Sequence, residues 1–196
     1  MDNKIGLFWL RDDFRITRND GLAEATRSHE QVVAFYLYKP ETYKEQEAQK
    51  WWLSKSLYNF QNKLNDLNIN LEIIEVKSFK SFFDNLVKKK NFKIYWNKVY
   101  EPDYLKFDEY LFKNFKNKNI IHKIFKGNAL NGIDEIKKND GTPFKVFTPF
   151  WRNAEKYYTE KIPLKDKKIK KFEKKIKYFK NCIQAEKILP KRNWFK

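Results

Sequence analysis

Five short apolar runs, each divided from the next by a stretch of helical periodicity, constrain this chain more than any other feature. The runs are Ile5–Leu10, Gln31–Tyr38, Asn70–Val76, Phe92–Asn97 and Asn119–Phe125. Continuous apolar runs of this length fit strands buried on both faces of a parallel sheet. Between them, Asp20–Ser28 reads as a short capped helix and residues 46–67 as a long one. In the long helix Trp52, Leu53, Leu57, Phe60, Leu64 and Leu67 recur at spacings of three and four, and so form its inward stripe. Ser78–Lys89 repeats the pattern with Ser78 as cap. Glu101–Phe115 carries Pro102 in its first turn, where a missing N–H costs nothing. These alternations predict an α/β fold, a doubly wound, five-stranded parallel sheet of the Rossmann-like type.

In such a sheet, ligands sit beyond the C-terminal ends of the strands, where strand order reverses. That rule selects the loops Arg11–Arg18, Tyr38–Tyr43 and Asn97–Glu101, all polar or charged segments that follow apolar strands. No GxGxxG follows the first strand and no GxxxxGK[ST] occurs; with five glycines in all, a glycine-rich phosphate cradle is absent. This argues against a dinucleotide dehydrogenase or a P-loop enzyme. Cys182 is the only cysteine, which excludes an internal disulfide, a CxxC motif and a Cys-rich zinc site. His29 and His122 are isolated in sequence, and none of the five serines sits in a GxSxG elbow.

The net charge of +17 raises nucleic acid as a partner. The 42 basic residues, however, divide into 36 Lys and 6 Arg, beside 19 Asn. That is the composition an AT-rich genome encodes, and bidentate readers of bases and phosphates favour Arg. Residues 161–196 hold 14 basic and 3 acidic residues, a balance of +11, which leaves +6 of the +17 for the first 160. The texture changes after residue 126. Asn139–Pro143 is a turn signal, an aromatic segment follows that turns helical after Pro149, and the Lys-rich tail comes last. The tail reads as a solvated linker with one basic helix, its apolar positions Ile169, Phe172, Ile176 and Phe179 at helical spacing. The alternative is a basic amphipathic segment lying on DNA, a membrane or a partner. No run approaches the ~18 apolar residues of a membrane span, and the N-terminus lacks the marks of a signal peptide. A cytoplasmic protein with no membrane association is expected.

Several segments, in order, resemble the DNA photolyase and cryptochrome family. FWLRDDFRITRNDGL is similar to its opening signature, through Trp9, Arg11, Asp13, Phe14, Arg15, Asn19 and Leu22. The second helix matches at Trp52, Leu53, Ser56 and Leu57, and WNKVYEP matches the loop after the fourth strand at Asn97, Tyr100, Glu101 and Pro102. DGTPFKVFTPFWRNAEKYY resembles the hairpin and Phe-Thr-Pro-Phe segment that closes the family's N-terminal domain, and LPKRNWF the end of its interdomain linker.

The resemblance implies an antenna-binding α/β core over residues 1–130, a closing hairpin and helix over 131–160, and a basic interdomain linker over 161–196. The helical FAD-binding domain is expected outside this sequence, in the same gene or as a separate subunit. The antenna implied is a reduced folate, a deazaflavin or FMN, passing excitation to that FAD. Damaged DNA is met only by the full assembly, so that these residues alone are not expected to repair a pyrimidine dimer. Whether the chain counts as an enzyme stays open for that reason. Carried over position by position, the cofactor-binding residues are Arg11, Asp12, Tyr38, Lys39, Lys50, Leu53, Asn97 and Glu101; no metal ligand is implied. Glu101 can accept two parallel N–H bonds from the edge of a pterin, or it can serve as an acid favoured at a helix N-terminus. Asn97 doubles as a strand-end cap, and Arg11 and Asp13 as salt-bridging residues. Trp9, Trp52 and Trp96 are read as core, Trp51 as a wall of the pocket or a domain interface, and Phe147, Phe150 and Trp151 as a docking face. The competing functions are a cryptochrome-type light-signalling domain, a free-standing Rossmann-like nucleotide-binding domain, and a plain basic DNA-binding module.

Overall fold

The computed structural model describes residues 4–89, 92–118, 120–127, 129, 132, 135–159 and 168–192. Five parallel strands form as the apolar runs require: β1 (Ile5–Leu10), β2 (Gln31–Tyr38), β3 (Asn70–Glu75), β4 (Lys93–Asn97) and β5 (Ile121–Phe125). The helices between them are α1 (Asp20–Ser28), α2 (Glu47–Asn65), α3 (Phe79–Leu86) and α4 (Pro102–Asn117), and α5 (Phe147–Thr159) follows β5. The caps are the ones their side chains suggest. Asn19 accepts the Leu22 N–H at the start of α1, and Ser78 Oγ accepts the Ser81 N–H at the start of α3.

The sheet has six strands, not five. Its order is β5-β4-β1-β2-β3-β6, and β6 (Cys182–Ile183) pairs antiparallel with β3. Two residues are too short a run to be read as a strand from periodicity, which is why this one escaped. Strand order reverses at β1, between β2 and β4. One core cluster packs α1 and α2 on one face through Leu22, Leu57, Phe60 and Leu64; the other packs α3 and α4 through Phe83, Leu86, Leu111 and Phe115. Trp9 and Trp96 are buried in the second cluster. Trp52 is not core: it is 69% exposed. Leu53, Leu57, Phe60 and Leu64 already fill the arc of α2 that meets the sheet, and Trp52 falls outside it.

The Lys-rich segment also departs from expectation. Over residues 168–181 there is no helix. The chain runs as an irregular strap whose apolar residues peg the two cores in turn: Ile169 and Phe172 in the α1/α2 cluster, then Ile176, Tyr178 and Phe179 in the α3/α4 cluster. It therefore wraps the β3 edge before β6 forms, and Ala185 and Ile188 return to the first cluster. Spacings of three and four reflect where pegs fall along the strap, not a helical face. Likewise, no strand ladder forms over 135–146, where a closing hairpin was expected. Lys138 N–H donates to Thr142 across a tight turn, with Gly141 at φ 79°, and α5 begins at Phe147 with Pro149 inside its first turn. Asn119, residues 160–167 and the last part of LPKRNWF, from 193 on, lie outside the described residues. Among the described residues no helix is long and apolar enough to cross a membrane.

Candidate functional site

The reversal in strand order should leave a crevice between the ends of β1 and β4. Here protein fills it. Asn97, at the end of β4, donates from Nδ2 to Asp13 (3.0 Å) and Asn19 (2.9 Å), and its Oδ1 accepts the Gly21 N–H at 3.2 Å. Asp13 in turn pairs with Arg15 at 2.7 Å. This network locks the β1 loop to the start of α1. A Cβ at position 21 would lie 2.5 Å from Asn97 Oδ1 and 3.1 Å from the Phe8 ring. Gly21→Ala, normally favourable inside a helix, is therefore expected to destabilise by about 1–3 kcal/mol through overpacking. A urea titration checks this; a midpoint at or above wild type contradicts it.

Beneath the same loop, Arg11 turns inward. Its guanidinium forms a two-pronged pair with the Asp108 carboxylate of α4 and lies over the Trp9 ring at 3.9 Å, with Tyr104 at 5.1 Å. Both partners are buried. Burial lowers the Arg11 pKa from its ordinary value, and the bond and charge of Asp108 oppose that pull.

The open space lies one strand over, on the β2 side, as two cavities that share Tyr43. Tyr43 ends a single 3-10 turn (Pro40–Tyr43) after β2; its ring stacks on Tyr38 with centroids 5.8 Å apart, and its hydroxyl is 3.3 Å from that of Tyr36. The first cavity, about 390 Å³, lies between this turn and the N-terminal turns of α3 and α4. Tyr43, Phe79, Tyr104 and Phe107 supply aromatic walls; Lys39, Lys80, Glu101 and Asp103 supply charge. Glu101 occupies the N-cap position of α4, yet its side chain makes no capping bond. The second cavity, about 630 Å³, is bounded by Asp12 and Phe14 of the β1 loop and by Trp51, Trp52 and Leu53 of α2. Partial desolvation, then the like charge of Glu101, raise the Asp12 pKa above its ordinary value, against the pull of Arg11. Burial is the largest cause raising the pKa of both Tyr36 and Tyr104, so each phenol stays protonated through neutral pH and keeps a donor.

The structure thus sorts the sequence-derived residues into groups. Lys39 and Glu101 line the first cavity; Asp12 and Leu53 line the second; Tyr38 backs Tyr43, which separates them. Arg11 and Asn97 are scaffold just below. Lys50 lines neither cavity and pairs with Glu47 at 3.0 Å. Tyr36, Tyr43, Phe79 and Tyr104 were not singled out, although Tyr43 closes a loop that the strand-end rule had selected. Among the described residues no cluster of His, Cys, Asp and Glu could hold a metal ion, and His29 is engaged with the Tyr95 hydroxyl at 2.9 Å.

Comparison with known families assigns this sequence directly. The DNA photolyase family model matches residues 6–168. The chain belongs to the DNA photolyase family. A deoxyribodipyrimidine photo-lyase of Agrobacterium fabrum is 25% identical over 149 residues, which is 76% of this chain and 31% of that protein. Cryptochrome-1 of Arabidopsis thaliana is 28% identical over 152 residues, 76% of this chain and 22% of that one. The chain thus spans about a third or less of these photolyase and cryptochrome relatives. Among solved structures, a bacterial class III photolyase from Agrobacterium tumefaciens superposes with TM-score 0.79 at 22% identity, covering 98% of this chain and 40% of its own. An archaeal photolyase from Sulfolobus tokodaii, described with two FAD molecules and the implication of a novel light-harvesting cofactor, superposes at 0.67 and 18%, covering 94% and 40%.

Proposed function

We propose that this chain is the antenna-binding α/β portion of a photolyase-type flavoprotein. A flat conjugated pigment sits against Tyr43 and is gripped by charged groups at the cavity mouth. The observation that carries the reading is the first cavity: aromatic walls on either side, a carboxylate free of capping duty at Glu101, and lysines at Lys39 and Lys80. Aromatic walls hold a ring system by stacking. A carboxylate accepts paired N–H groups from the polar edge of such a ring, and lysines meet an anionic tail. A volume of about 390 Å³ falls within the range of small-molecule sites, roughly 300–1,000 Å³. The chemistry the pigment supplies when bound is absorption of near-UV or blue light. The protein's share is position and exclusion of water. Repair of a pyrimidine dimer belongs, in this reading, to a helical flavin domain that meets the DNA, whether it is carried on the same polypeptide or on a partner.

The test is titration of the purified chain with FMN, a reduced folate and a deazaflavin in turn, followed by absorption and thermal shift. One of the three is expected to bind at one equivalent and raise Tm. Tyr43→Ala should weaken that binding about five- to 150-fold, the value of a stacking surface worth roughly 1–3 kcal/mol. Glu101→Gln should weaken it only for a pigment with paired N–H donors. If none of the three binds, with or without an added flavin domain, the pigment reading fails while the fold family stands.

A further inference from the structure

The strap carries a charge array that the pigment cleft does not use. Residues 168–180 contain seven lysines, Lys168, Lys170, Lys171, Lys174, Lys175, Lys177 and Lys180, against one acid, Glu173. All seven are exposed, and none forms an ion pair among the described residues. Because Ile169, Phe172, Ile176, Tyr178 and Phe179 point into the cores, the positions between them present lysine outward.

The array is held in place by its backbone. Lys170 N–H donates to Thr26 Oγ1 (3.2 Å), Phe172 N–H to the Leu67 carbonyl (3.0 Å), and Asn68 Nδ2 to the Phe172 carbonyl (2.7 Å). Tyr178 and Phe179 N–H groups donate to the buried Glu72 carboxylate at 2.8 and 2.6 Å. These partners sit at the C-terminal ends of α1 and α2 and at the start of β3. The strap therefore crosses the end of the sheet opposite the two cavities. Lys89, just past α3, joins it, its ammonium 5.3 Å from the Tyr178 ring. Helix C-termini carry partial negative charge, which makes this a tolerable place to concentrate cations.

We propose that the strap is a sequence-neutral docking surface for the phosphate backbone of double-stranded DNA, at the end of the domain away from the pigment. Three features select that partner. Exposed ammonium groups on an anchored backbone, with no ion pair among the described residues and only Lys175 holding a side-chain oxygen, that of Asn65 (2.7 Å), match a polyanion and gain by releasing its counterions. Residues 168–180 contain no Arg, the residue that reads base edges bidentately, so the contact is to phosphates alone. The strap's aromatic residues are spent as pegs in the core, so no stacking platform is offered to the unpaired bases of a single strand.

The experiment uses the full chain, an undamaged fluorescein-labelled duplex, and anisotropy across a salt series. The wild type is expected to bind with the weak affinity of nonspecific contacts, a Kd of roughly 10⁻⁴–10⁻⁶ M at physiological salt. A strap variant combining Lys171→Gln, Lys174→Gln, Lys175→Gln and Lys177→Gln should bind at least tenfold more weakly at fixed salt. The slope of log K against log salt should become shallower by about 3–4, near 0.9 per lost contact. A control with the same loss of charge combines Lys106→Gln, Lys113→Gln, Lys116→Gln and Lys118→Gln, all exposed along or just past α4, and should bind as the wild type does. Equal weakening in both variants shows diffuse charge and overturns the proposal. So does a strap variant with wild-type affinity and slope, or a chain that binds phosphatidylserine vesicles but not the duplex. Pigment binding is read separately by absorption, so failure here leaves the antenna reading intact.

Discussion

Arg11→Met is expected to lower the unfolding free energy by about 3–5 kcal/mol, the largest single effect at the head of the sheet. The cause is what the substitution leaves behind. Asp108 is buried, and without Arg11, whose guanidinium lies over the Trp9 ring, its charge has no compensating partner among the described residues. For a domain of this length the corresponding fall in Tm is roughly 2–4 °C per kcal/mol, so a loss on the order of 10 °C. Arg11→Lys keeps the charge and loses the fork that meets both Asp108 oxygens and the flat face that lies over Trp9, so an intermediate loss is expected. Replacing both residues, Arg11→Met with Asp108→Leu, should recover most of the stability. A buried pair repays its desolvation poorly, and this one already leaves Arg11 Nε without a hydrogen-bond partner among the described residues. Tryptophan fluorescence in a urea series reads all three variants. If Arg11→Met keeps wild-type stability and loses only pigment binding, the ion pair is incidental and Arg11 is a ligand residue after all. Arg11 reaches the cleft only through α4: Asp108 lies one turn beyond Tyr104, and Tyr104 is a wall of the first cavity.

The same residue shows how far a sequence reveals a site. The strand-end rule selects the loop that Arg11 opens, the family resemblance makes Arg11 a binding residue, and Arg11 does stand at the reversal of strand order. Its direction was invisible, because a loop residue can turn toward solvent or toward either face of the sheet, and only packing decides. Asn97 is similar: its position at the end of β4 was legible, but its three hydrogen bonds to the β1 loop and α1 connect residues about 80 positions apart. Strands β1 and β2 matched the apolar runs to the residue, since both are buried on both faces and so carry an unbroken signal. Tyr43 and Tyr104 escaped because a tyrosine in a loop or a helix turn has no period to betray it. Glu72 escaped for the opposite reason. It sits within the apolar run of β3, where a single charge reads as a tolerated exception, and beyond its neighbour Asn70 its partners, the Tyr178 and Phe179 N–H groups and the Cys182 thiol, lie more than 100 residues away.

Glu72 also decides whether the strap belongs to the domain. The buried carboxylate takes the Tyr178 and Phe179 N–H groups, and hydrogen bonds to a charged group contribute roughly 1.5–3 kcal/mol each. Glu72→Ala removes both. The orphaned donors can regain partners only if the strap lifts into water, so the loss is limited by the energy of docking the strap and appears as local opening rather than global unfolding. An opening made easier by about 3 kcal/mol raises the open population roughly a hundredfold, which hydrogen exchange over residues 172–183 and tryptic cleavage after Lys174, Lys177 and Lys180 both read. Glu72→Gln keeps one acceptor oxygen and should fall between. Cys182 offers an independent readout. Burial first, and then the Glu72 charge, push its thiol up to about 11. Removing that charge and loosening the strap both lower it, so the thiolate fraction at pH 8 rises and alkylation quickens. If Glu72→Ala leaves exchange, cleavage and alkylation at wild-type rates, the pegs Phe172, Ile176 and Phe179 hold the strap alone. The carboxylate would then be a buried charge with no task in the fold.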